Sequence, residues 1–194
     1  MRRNEKVEIK MEIEIKVYDP KTGKVTLERK VPCHTFLKNF SALAHLIIPR
    51  GDAIISDTVT DISGNARTAT GCGSSAPVPF TYVSESPSYK IFSRIGTNTT
   101  AFSRNQYDVL TYLAEIAYGN FTLTDTGSQK ELRITYAWTN GTGLAKDVSE
   151  CVLGIWVYVA GMYKVAISRD VFSPAINVPN GQVLALGYVI TVPW

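Results

Sequence analysis

The chain has 194 residues, enough for one good-sized domain or a domain with an extension. Its net charge is +3, and no run of Lys and Arg interleaved with aromatics exists to track a phosphate backbone, which argues against nucleic acid as a partner. The longest apolar run, residues 151–160, is too short to cross a bilayer, so no membrane span is expected. Charges at every second position near the N-terminus argue against a signal peptide.

Charge is unevenly spread. Residues 1–30 hold nine Lys/Arg and six Asp/Glu, whereas the remaining 164 residues hold eleven of each. A body so sparsely charged either buries an unusual share of its surface or covers part of it with partners. Cys33, Cys72 and Cys151 are odd in number and share no ligand spacing, so they read as free thiols of a reducing compartment. Asn39, Asn98, Asn120 and Asn140 head four glycosylation-type sequons, which in a Ser/Thr-rich chain read as coincidence.

In chain order, Val7, Ile9, Met11, Ile13, Ile15 and Val17 alternate with Glu, Lys and Tyr. Strict period two predicts a strand with one apolar and one solvated face. Its length, about 35–40 Å, exceeds that of most strands. The turn Asp19-Pro20-Lys21-Thr22-Gly23 and a returning strand over 24–31 complete a hairpin. In residues 34–48, Phe36, Leu37, Phe40, Leu43, Ala44 and Ile47 fall at three- and four-residue spacing, which predicts the single helix. Residues 53–62 and 67–70 flank a Ser63-Gly64-Asn65 turn, and residues 71–87, rich in Gly, Ser and Pro, predict an exposed loop. Residues 91–96 read as a short strand, and residues 107–118 fit helix or strand equally.

From Phe121 onward the pattern is entirely β. Leu132, Ile134, Tyr136 and Trp138 alternate with Arg133, Thr135 and Ala137. Residues 151–160 are apolar throughout, as in a strand covered on both faces, and residues 162–168 and 182–192 supply further strands. Eight to ten strands with one helix predict an all-β body over residues 32–194, a two-sheet sandwich with a jelly roll as the candidate topology. The hairpin of residues 1–31 then forms an N-terminal extension, a candidate arm reaching a neighbouring subunit.

Chemistry-bearing constellations are scarce. His34 and His45, eleven residues apart on one helix, sit about 16 Å apart and cannot share a metal. Cys33 and His34 are sequence neighbours whose side chains diverge, so a nucleophile pair is disfavoured. Asp57 and Asp61 offer a paired-carboxylate or Ca²⁺ reading without the dense acidic loop such a site needs. Gly71-Cys72-Gly73-Ser74-Ser75 lacks the Lys of a phosphate-binding loop. The aromatics read as core more readily than as a sugar platform. The expectation is no enzyme, no metal and no cofactor. The strand face Val7, Ile9, Met11, Ile13, Ile15 and Val17, with Ile155, Trp156, Val157 and Tyr158, is the candidate oligomer interface.

An ordered set of short motifs runs through the body. Phe36-Leu37-Lys38-Asn39-Phe40 comes first, then Val59-Thr60-Asp61-Ile62-Ser63-Gly64-Asn65-Ala66-Arg67. Ile95-Gly96-Thr97-Asn98-Thr99-Thr100 leads to Asn105-Gln106-Tyr107-Asp108. Ser168-Arg169-Asp170-Val171-Phe172 and Ile176-Asn177-Val178-Pro179-Asn180-Gly181-Gln182 close the series. In that order and spacing the body resembles virion structural proteins of tailed phages and other viruses of bacteria or archaea. The resemblance implies a homo-oligomeric subunit of a tail, connector or vertex, partnered by other virion proteins and assembled in the host cytoplasm. From the residues themselves, a non-viral filament or surface-layer subunit and a carbohydrate-binding module are the alternatives. Arg169 and Asp170 precede the corner at 178–181, either as a charge pair pinning it or as a solvated strand end.

Overall fold

The computed structural model describes residues 10–33, 36–47, 56–70, 91–158 and 161–193. They form ten strands and one helix, so the described residues are nearly all β and include the expected N-terminal hairpin and helix. The strands are β1 (Lys10–Tyr18), β2 (Val25–Pro32), β3 (Ser56–Thr60), β4 (Ala66–Thr70), β5 (Ile91–Gly96), β6 (Tyr112–Asp125), β7 (Gln129–Thr139), β8 (Lys146–Tyr158), β9 (Met162–Val178) and β10 (Val183–Pro193); the helix α1 is Lys38–Ile47. Eight strands follow one antiparallel order, β2-β1-β10-β7-β6-β5-β8-β9, and β3-β4 is a separate hairpin. The expected division into two facing sheets of jelly-roll type does not appear in this pairing, which is a single series. The predicted loop at 71–87 and residues Val7 and Ile9 lie outside the described residues.

The chain divides into two compact units. The first comprises Met1–His34, Ala117–Asp147 and Asn177–Trp194. Here period-two patterning acts as anticipated: Met11, Ile13, Ile15 and Val17 are at most 5% exposed, while Lys16 points to solvent. In register, Ile13 faces Tyr188, Tyr188 faces Ile134, and Ile134 faces Phe121, so one apolar row crosses β1, β10, β7 and β6. A second row runs Ile15, Leu186, Tyr136 and Tyr118, with Tyr136 edge-on to both Tyr118 and Tyr188 at 5.9 Å. Each fully buried aliphatic side chain in such a row stabilises by about 1.5–3 kcal/mol. β1 is therefore paired on both edges by its own chain, through β10 and β2.

The opposite face of this sheet carries charge. Lys30 of β2 approaches Glu12 at 2.9 Å and Glu14 at 3.5 Å. Arg133 of β7 forms an ion pair with Glu14 across β10, where Gly187 stands between them without a side chain. Partial burial pushes the Glu14 carboxyl up, but Arg133 and Lys30 outweigh it and hold the group below its ordinary range.

The second unit comprises Thr35–Ile116 and Val148–Ile176. Its β8 explains the unbroken apolar run at its centre: Val157 packs with Ala42, Val59, Ala69 and Val165, whereas Val152 packs with Leu37, Phe92, Val109 and Ala166. Residues of odd separation on one strand face opposite ways, so both faces of β8 are covered. Residues 107–118, which fit helix or strand on sequence, divide into the end of a long loop and the start of β6. β9 runs on to Val178, ten residues past the expected end.

Gly154 sits where the Phe92 ring crosses β8. A Cβ there would collide with that ring and lie 2.7 Å from the Val165 carbonyl oxygen. Gly154→Ala should therefore destabilise the protein by about 1–3 kcal/mol, the cost of overpacking a filled core. Urea denaturation measures it, and an unchanged midpoint would contradict this packing.

Candidate functional site

Within the second unit, Glu150 of β8 and Arg169 of β9 form an ion pair whose side chains are both 0% exposed. Arg169 Nη2 and Nε approach Glu150 Oε2 at 2.7 and 2.8 Å. Two charges can be held away from water only where every remaining donor and acceptor is used, and the segment 97–111 supplies the partners. The N–H groups of Thr111 and Asn98 donate to Glu150 Oε1 at 2.9 and 3.3 Å, and that of Leu110 donates to Oε2 at 3.0 Å. Arg169 Nη1 donates to Gln106 Oε1 at 3.0 Å, and its Nη1 and Nη2 both donate to the Thr100 carbonyl. The pair thus fastens both ends and the middle of a 15-residue loop. Gly96 makes room for it: a Cβ there would collide with the Glu150 side chain and lie 2.5 Å from the Thr111 carbonyl oxygen.

Other buried polar groups act the same way. Asn39 of α1 donates through Nδ2 to the Thr60 and Ala166 carbonyls at 2.9 and 3.0 Å and accepts the Thr60 N–H at 2.8 Å. It ties the helix to β3 and β9 at once. Asp61 accepts the N–H groups of Ser63 and Asn65 through Oδ1 and the Arg67 guanidinium through Oδ2. Arg67 in turn lies 3.8 Å over the Tyr163 ring. Burial pushes the Asp61 carboxyl up, but the Asn65 N–H, Arg67 and the Ser63 N–H together hold it below its ordinary value of 3.8. Asp108 goes the other way: burial raises it, and Arg94, 2.5 Å away, only partly counters this.

The first unit has its own hub in Asn140, 0% exposed. Its Nδ2 donates to the Leu144 and Val178 carbonyls at 2.8 and 2.7 Å, and its backbone pairs with Gln182 and Gly181. The predicted turn at 178–181 is present, with Gly181 at φ 79°, a conformation that favours glycine. Asn140 holds this corner; Arg169, expected on sequence to pin it or to lie solvated at a strand end, is buried and pins the loop 97–111 instead. Asn39 and Asn140, which read as coincidental sequons, are structural.

The sequence-predicted site residues scatter. Met11, Ile13, Ile15 and Val17 are core of the first unit and offer a neighbour little surface, because the chain's own sheet already covers them. Val157 is core of the second unit, with Ile155 and Trp156 packed beside separate clusters. The side chain of Tyr158 lies outside the described residues, as do Val7 and Ile9. Asp57 accepts the N–H of Thr58, while Asp61 serves its own turn through Ser63 and Asn65. His34, Cys72 and the His45 side chain lie outside the described residues. Among the described residues no group of three or more His, Cys, Asp or Glu could hold a metal ion, and no helix is long and apolar enough to cross a membrane.

Glu150 escaped the sequence reading. The one available signal was a lone carboxylate at the threshold of an apolar strand, where an unpaired charge would be intolerable. Two recesses border the clamped loop: one of about 180 Å³, lined by Lys38, Asn39, Thr58, Thr60, Arg104 and Gln106 among others, and one of about 390 Å³, lined by loop residues from Ser103 to Leu110. No known protein family, curated protein or solved structure matches this chain.

Arg169→Met should cost about 3–5 kcal/mol, because it leaves Glu150 buried without its counter-charge. Arg169→Lys should lose less. Denaturant titration decides, and a loss below about 1 kcal/mol for the Met variant would contradict the clamp. Asp61, with its lowered pKa, contributes stability that is present above 3.8 and is lost as pH falls through the folded value. Asp61→Asn should be less stable than the parent at neutral pH, with the two stability curves converging in acid. Parallel curves down to pH 2 would contradict this.

Proposed function

We propose that the chain is a structural subunit of a virus particle, a tail, connector or vertex component, that acts by self-assembly and not by catalysis. One observation carries this reading. The short motifs on which the resemblance to virion proteins rests contain the residues that anchor the fold: Asn39, Asp61, Thr100, Gln106 and Arg169. Polar groups of this kind hold loops and strands in fixed places, which suits a part whose task is to present a rigid surface. The sparse charge of residues 31–194 supports the same reading, since a weakly charged body associates without strong repulsion. Assembly would take place in the host cytoplasm, with other virion proteins as further partners. A filament or surface-layer subunit would use the same physics in another setting.

A second reading has an observation of its own. Phe40, Tyr107 and Tyr112 of the second unit are 37–57% exposed, and exposed rings beside polar groups suit a carbohydrate-binding module.

Purified protein examined by sedimentation and electron microscopy across a concentration series should form discrete oligomers or tubes. A strict monomer at the highest concentration, with saturable glycan binding quenched by Tyr112→Ala, would replace the assembly reading by the carbohydrate one.

A further inference from the structure

An exposed sheet edge invites another strand, and natural sheets guard their edges with charge, Pro or a covering segment. In this chain the outer strand β2 carries Glu28, Arg29 and Lys30 and ends on Pro32. The outer strand β9 is covered over 164–168, where the N–H groups of Leu37 and Ile62 donate to the Ile167 and Lys164 carbonyls at 2.9 and 3.0 Å. Residues 117–125 of β6 differ. They pair with β7 on one side, and β5 reaches only as far as Ile116 on the other. Among the described residues no strand lies against that second side. No charged residue occurs before Asp125, yet Phe121 is 46% and Leu123 62% exposed. Among the described residues its guards are a bulge at Tyr118/Asn120 and the Asn120 side chain, whose Oδ1 accepts the Phe121 N–H at 2.8 Å.

Resting on the assembly reading above, we propose that residues 119–125 form an antiparallel strand pair with the same residues of a second copy, about a two-fold axis at Thr122. The sequence of the segment suits a copy of itself. With Thr122 opposite Thr122, Phe121 meets Leu123 of the copy and Leu123 meets its Phe121, giving two aromatic–aliphatic cross-strand contacts. Asn120 meets Thr124, and Gly119 meets Asp125, so no like charges stand opposite each other. A two-fold perpendicular to the sheet keeps each face on its own side. The apolar row Ile13, Tyr188, Ile134, Phe121, which ends exposed, would continue into the copy's Leu123, Leu132 and Ile190. A seven-residue ladder lies below the roughly 1,200 Å² of a standard interface, so the pair forms at high local concentration, as in an assembled particle.

Directly opposed residues place their Cβ atoms about 4.5–5.5 Å apart, near disulfide reach. Thr122→Cys, in a Cys72→Ser background, should therefore form a disulfide-linked dimer on mild oxidation, while the control Thr26→Cys on β2 should not. Leu123→Lys, at an exposed position and with an unchanged circular dichroism spectrum, should weaken self-association at least tenfold by sedimentation. Association that survives Leu123→Lys, with no Thr122→Cys cross-link, overturns the edge pairing and leaves assembly through another surface. A chain that stays monomeric at every concentration overturns both.

Discussion

Two opposite charges with no access to water, Glu150 and Arg169, set the terms for much of the second unit. Neither is tolerable alone, and the pair is tolerable only while its remaining hydrogen-bonding positions are filled. They are filled by the backbone of Asn98, Thr100, Leu110 and Thr111 and by the Gln106 side chain. The loop 97–111, with no regular structure of its own, is thereby fixed at several points. The glycine at 96 belongs to the same device, because any side chain there would occupy the carboxylate's place.

Asn39, Asp61 and Asn140 repeat the principle with milder chemistry. A buried amide offers two donors and an acceptor, enough to join three segments, and Asn39 does so for α1, β3 and β9. Such groups contribute less to stability than their number suggests, because each hydrogen bond replaces one to water. Their effect is on uniqueness: a misregistered strand would strand a polar atom in the core. That kind of specificity is what a subunit needs if its surfaces must match those of its neighbours.

Parts of this were legible in the sequence. Alternation over residues 11–17 marked β1 and its buried face, and the uninterrupted run from Cys151 marked a strand covered on both sides. The turn at 178–181 was visible from its Pro and Gly. Pairing was not legible. β1 lies beside β10, more than 160 residues away in the chain, and strand alternation carries no information about which partner fills an edge. β6 hid for another reason: its first residues border a core and its last seven are exposed, so no single period runs through it. The burial of Arg169 was invisible because its partner, nineteen residues away, precedes it on another strand. An amphipathic strand's apolar face reads the same in sequence whether its own chain or a partner covers it; in β1, Met11, Ile13, Ile15 and Val17 are buried within the chain.

The loop 97–111 is held by buried charge, in contrast with residues 119–125 of β6, which no strand flanks on their second side among the described residues. Hydrogen–deuterium exchange at low and at high protein concentration distinguishes them directly. The amides of Asn98, Leu110 and Thr111 should be protected at both concentrations, whereas those of residues 119–125 on the open side of β6 should gain protection only as concentration rises. Fast exchange at Asn98, Leu110 and Thr111, or protection of residues 119–125 that does not change with concentration, would contradict this contrast.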